Sequence, residues 1–186
     1  MNIYILDKDP KKCAAYYCDM HISSYCLRLA QSLSIAHWYS YIATESPPEK
    51  FRTLKDAKNY FYDKYPEGSD KRPPYKISNY FIKHDSIDWL ASEEKNYFWT
   101  ISLLEAMCNE FFILSNKQHA SVKFINWFKN NIPITCKDSK DYSITFVKEV
   151  PEEFKHLNIV DAYRSYYKTT KRKIAKWDRS KKPEWF

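Results

Sequence analysis

Glycine is nearly missing: Gly68 is the only one in 186 residues. Loops that cradle phosphates, and the dinucleotide folds built on them, need several glycines so that the backbone can approach the ligand. P-loop, Rossmann and Gly-x-Ser-x-Gly hydrolase classes are therefore excluded. Cysteine is sparse and badly placed for cross-linking. The five, at positions 13, 18, 26, 108 and 136, are odd in number, form no Cys-x-x-Cys pair and mostly sit in apolar stretches, which reads as reduced thiols. No apolar run approaches the roughly 20 residues that cross a bilayer. Met1 to Pro10 carries acids where a signal peptide would carry bases. The expected setting is the cytosol, with no membrane partner.

What is present is a chain with 44% hydrophobic residues, enough apolar surface for one core, so that 1–186 is expected to be a single domain. Aromatic residues make up 18%, with 16 Tyr and 6 Trp. That excess fits surface stacking platforms, and it equally fits the codon bias of an AT-rich genome. Charge is local. Between Arg164 and Lys182 nine cations face Asp178 alone, a net +8 within a protein of net +7, so the rest of the chain sums to −1. A basic patch of this form is an electrostatic footprint for an anionic partner.

Apolar spacing predicts a mainly α fold of about five helices with a small two-stranded antiparallel sheet. Asp9 can cap a helix that Pro10 opens, and Ala14, Tyr17, Cys18, Tyr25, Leu29, Leu33 and Ala36 continue one stripe from Lys11 to about Tyr41. Ser46-Pro47-Pro48 breaks it. Shorter helices follow from Thr53 to Tyr65, from Ser92 to about Leu114, from Ala120 to Asn130 and from Val160 to Trp177, with short turns between 75 and 90. In the last helix Val160, Tyr163, Tyr167, Ile174 and Trp177 are expected to face inward. The apolar run Ile3 to Leu6 and the β-branched alternation over 142–147 are the expected sheet partners.

Two clusters could carry acid and base chemistry. Asp19 and His21 stand beside Cys18 on the first long helix, and Glu110 precedes Asn116, Lys117 and His119 near the end of another. Asp19, His21, Glu110 and His119 are thus the candidate catalytic residues, set against the plainer reading of a polar helix end. A metal site on Cys18 and His21 would need further ligands such as Cys26 or His119, and none has zinc-finger spacing. No metal and no cofactor are expected. For phosphates and bases the candidates are Lys117, Arg164, Tyr167, Lys168, Lys171, Arg172 and Trp177, because aromatics interleaved with cations suit backbone neutralisation together with stacking.

The segments Asn2-Ile3-Tyr4-Ile5-Leu6-Asp7-Lys8-Asp9-Pro10, Cys18-Asp19-Met20-His21, Ala162-Tyr163-Arg164-Ser165-Tyr166-Tyr167 and Pro183-Glu184-Trp185-Phe186 resemble a family of tailed phages and large DNA viruses. Gln31, Asn96-Tyr97-Phe98-Trp99, Glu110 and Lys117-Gln118-His119 extend the resemblance over most of the chain. The helical layout and basic Trp-Tyr-rich end are more remotely similar to phage pyrimidine-dimer DNA glycosylases, which use an N-terminal amine as nucleophile and a glutamate of the first helix. The closer family implies a histidine at Tyr17, basic residues at Met20 and Ser24 and a glutamate at Arg28. A guanidinium cannot act as a base, and Asn2 is too large for efficient removal of Met1.

Three readings stay open: a viral DNA-processing enzyme of glycosylase type, a non-catalytic nucleic-acid-binding or virion protein, and an enzyme acting on a small phosphorylated nucleotide. An enclosed pocket joining Arg164, Lys168, Lys117 and His21 would mark the third. An open groove rimmed by cations would mark a nucleic-acid binder.

Overall fold

The computed structural model describes residues 3–45, 53–78, 84–138, 141 and 143–186. Its helices are α1 (Pro10–Ala15), α2 (Asp19–Glu45), α3 (Leu54–Lys64), α4 (Asp85–Ser92), α5 (Glu94–Ser115), α6 (Ile125–Asn130) and α7 (Ile159–Lys171), with 3-10 turns η1 (Ala120–Phe124) and η2 (Glu152–Phe154). The Ser46-Pro47-Pro48 break, positions 79–83 and Tyr142 lie outside the described residues. No described helix is long and apolar enough to cross a membrane.

Local chemistry starts several of these elements. The Asp9 carboxylate accepts from the Lys11 and Lys12 amides, with Pro10 at the first helical position. Thr53 and Asp56 form a reciprocal capping box at the head of α3. Asn116 closes α5 in the left-handed conformation, φ 52°, which asparagine tolerates better than most residues. α2 is the central element: it packs on α5, α4 and η1, while α1 also lies on α5. The stripe Ala14, Tyr17, Cys18, Tyr25, Leu29, Leu33 and Ala36 is buried throughout, as are Tyr97, Ile101, Leu104 and Cys108 opposite it.

Three expectations are corrected. The expected helix from Lys11 to Tyr41 is two helices, although no Gly or Pro lies between them. The Tyr167 hydroxyl takes the Cys18 amide at 3.1 Å, and Tyr17 turns inward to donate to the Tyr4 carbonyl at 2.9 Å, so tertiary bonds replace the helical ones at the joint. The sheet does not form: among the described residues the sole bridge is an isolated parallel one between Glu93 and Lys137. Ile3 and Ile5 do share an apolar crevice with Phe146 and Val147, together with Ser86, Trp89 and Tyr163. Side chains satisfy their backbones instead. Arg164 Nε donates to Leu6 O at 2.8 Å, Trp89 Nε1 to Thr145 O at 2.7 Å and the Tyr163 hydroxyl to Val147 O at 3.2 Å. Finally, α7 stops at Lys171 rather than Trp177, which leaves Ile174 exposed.

Candidate nucleic-acid interface

Beyond α7 the chain turns back on itself. The Ile174 and Ala175 amides both bond Lys171 O, at 2.9 and 2.7 Å. The segment is then tied to the head of α2: the Asp19 amide donates to Lys176 O at 3.0 Å, and the Asp19 carboxylate accepts from the Arg179 amide at 2.9 Å and from the Ser180 hydroxyl. This return creates a cleft of about 780 Å³ lined by Lys168, Arg172, Lys176 and Lys182, with Asp178 as the one acid and Ala175, Trp177 and Phe186 as apolar surface. Its four cations are all exposed, so it is an open groove rather than an enclosed pocket. The Trp177 and Phe186 rings meet at 4.6 Å with an interplanar angle of 61°. The Trp177 indole N–H is buried and has no hydrogen-bond partner among the described residues.

Of the seven candidate phosphate or base contacts, Lys168, Arg172 and Trp177 line this cleft. The others do not. Arg164 is held between the Tyr16 and Trp185 rings, 5.2 Å from each centroid, and reaches Asp7 at 3.4 Å. Tyr167 is fully buried with its hydroxyl engaged, so its ring offers no face for stacking. Lys171 lies 5.9 Å above the Tyr4 ring, and Lys117 is exposed in the turn after α5. The sequence reading missed Lys176 and Lys182, whose only signal was membership of the basic run, and Phe186, which entered only as the end of the Pro183-Glu184-Trp185-Phe186 segment.

Compared with known protein families, curated proteins and solved structures, the chain matches none.

The four candidate catalytic residues face four different surroundings. Asp19 fastens the returning segment. His21 is buried, its Nδ1 2.7 Å from the Tyr167 hydroxyl. That single phenolic proton serves either His21 or Cys18 Sγ, 3.2 Å away. Burial, then the charges of Lys171 and Arg28, push the His21 ring down to about 4, so it is neutral at neutral pH. Glu110 faces α1 across a separate cleft of about 740 Å³ shared with Asp9, Lys11, Ser102, Glu105 and Asn109, and burial raises its carboxyl. His119 caps η1, accepting the Ser121 amide at 3.1 Å through Nδ1. Arg28, where the resemblance implies a glutamate, lies over the Tyr25 ring at 5.4 Å.

The thiols divide in the same way. Cys18 and His21 meet at Tyr167, whereas Cys26 and His119 come together with Cys108. Metal-ligating atoms therefore cluster away from the pair on which the sequence reading centred a metal site.

Proposed function

We propose that the protein binds a nucleic-acid strand, DNA of a virus or phage in the setting that the resemblance implies, through the C-terminal cleft and without acting on it chemically. The observation that carries this reading is the convergence of Lys168, Arg172, Lys176 and Lys182 around the half-buried Trp177–Phe186 pair. Cations along an open groove neutralise successive phosphates and release counterions. An aromatic platform between them takes bases without regard to sequence. The dispersal of Asp19, His21, Glu110 and His119 favours binding over glycosylase chemistry, which requires an acid or base and a nucleophile around one extruded base. The openness of the groove favours a strand over a small nucleotide.

The test is a salt titration of binding to labelled single-stranded, duplex and ultraviolet-damaged duplex DNA, with strand cleavage after mild base treatment scored in the same samples. Steeply salt-dependent binding with intact strands is expected. Cleavage confined to the damaged duplex would replace this reading with the glycosylase one, and an absence of binding at low salt would overturn it.

A further inference from the structure

Cys26 on α2, Cys108 on α5 and His119 at the head of η1 bring their ligand atoms within 4.8 Å of one another. We propose that this cluster binds one zinc-like divalent cation, with two thiolates and one imidazole nitrogen as protein ligands and water in the fourth position. Around tetrahedral zinc, with sulfur at about 2.3 Å and nitrogen at about 2.0–2.1 Å, donor atoms stand about 3.6–3.8 Å apart. Side-chain shifts of at most about 1 Å would close the cluster onto an ion.

Charge and softness select the ion. Two thiolates cancel a divalent charge, so the loaded site is neutral and suits the interior, where Cys26 is fully buried and Cys108 is 5% exposed. Thiolate with imidazole is a borderline-soft set that suits zinc better than magnesium or calcium. The Cys26 and Cys108 thiols are hydrogen-bonded to each other, so the two sulfurs already stand side by side.

The His119 ring is oriented for the same purpose. The Ser23 backbone accepts from the ring while Nδ1 accepts the Ser121 amide, so the neutral ring carries its proton on Nε2. Nδ1 is then the nitrogen with a lone pair, taken here by the Ser121 amide, and a backbone acceptor on the opposite nitrogen is a common arrangement behind metal-bound histidines. Loading at Nδ1 exchanges the Ser121 bond for a coordinate one. The Phe111 ring packs edge-on against His119 at 5.1 Å and limits its rotation. Because His119 is only half-buried, the ion has a route in from the surface.

The reduced, metal-stripped full-length protein, titrated with Co²⁺ as a spectroscopic probe, provides the test. A thiolate-to-cobalt charge-transfer band in the near ultraviolet is expected, saturating at one equivalent and bleached by Zn²⁺. Cys108→Ser should weaken zinc binding by about 100-fold or more, beyond the usual effect of losing an outer-shell partner. Cys136→Ser, which alters a thiol that instead donates to Leu90 O at 3.4 Å, should leave binding unchanged. The absence of a thiolate band in the folded wild-type protein would overturn the site, whatever the stability of the serine variants. So would an undiminished band in a folded Cys108→Ser protein.

Discussion

Helix α7 and the segment after it are built from the same ingredients, tyrosine or tryptophan interleaved with arginine and lysine, yet they are opposite environments. Within α7 the aromatics are core: Tyr163 and Tyr167 are buried, and Tyr4 packs against both rings at 6.1 and 5.1 Å. Arg164, between them in sequence, is consumed by Leu6 O, Asp7 and two rings. One turn later Lys168 points into the groove. Interleaving of cations with aromatics is therefore not in itself a binding signature. What separates the two regions is whether the cation already has an acid or carbonyl partner: among the described residues Lys168, Arg172 and Lys176 have none and Lys182 lies only over the Phe186 ring at 5.5 Å, and a charge without such a partner can neutralise a phosphate.

The largest effect that would sharpen this comparison is on stability. Tyr167→Ala removes a fully buried ring together with the bond to the Cys18 amide and should cost about 3–5 kcal/mol in urea denaturation. A loss below about 1 kcal/mol would mean that the residue is not the core element described.

Next in size, taken per pH unit, is a pH effect. His21 is pushed down to about 4 and His37, buried against Tyr97, to about 3, in both cases mainly by burial. Unfolding returns them to about 6.5, so below that pH the unfolded chain binds protons that the folded chain refuses. Stability should be complete above about pH 6.5 and fall on acidification by about 1.4 kcal/mol per histidine per pH unit until the folded values are reached. Replacing His37 with Gln should flatten the slope between pH 6 and 4. An unchanged slope would place the acid sensitivity elsewhere.

Arg164→Ala comes third. Loss of a charge-assisted bond to a backbone carbonyl and of packing between two rings should cost about 1.5–3 kcal/mol, with the salt dependence of nucleic-acid binding left as in wild type. The reverse pattern, stability kept and the salt slope reduced, would move Arg164 into the interface. The smallest effect on folding is expected for Lys168→Ala with Lys176→Ala, which should leave the thermal midpoint where it is and act on binding alone.

Much of the fold was legible where it depends on neighbours in sequence. The Asp9-Pro10 start, a helix between Thr53 and Tyr65 and the burial stripe along α2 all follow from local hydrogen bonding and helical spacing. What could not be read depends on residues far apart in the chain. The joint at Cys18 exists because Tyr167 bonds its amide, and the return of the C-terminal segment exists because Asp19 holds Arg179 and Ser180. The Ile3 to Leu6 run looks like a strand because it is apolar and buried, but side-chain donors reach its carbonyls and no ladder is needed. In the candidate site, net charge located the region, but which cations were already spent required the packing. Of the Cys26, Cys108 and His119 cluster, Cys26 and His119 were legible only as possible additions to a Cys18–His21 site and Cys108 not at all, since the members lie on three elements with no characteristic spacing.

The central claim is that unspent cations in the C-terminal groove hold a nucleic-acid strand, and the most direct test is the salt dependence of single-stranded DNA binding by the double variant Lys168→Ala, Lys176→Ala beside Arg164→Ala. With two phosphate contacts removed, the slope of log K against log salt should become shallower by about 1.4, while the Arg164→Ala slope stays at the wild-type value. Identical slopes for wild type and the double variant would contradict the account.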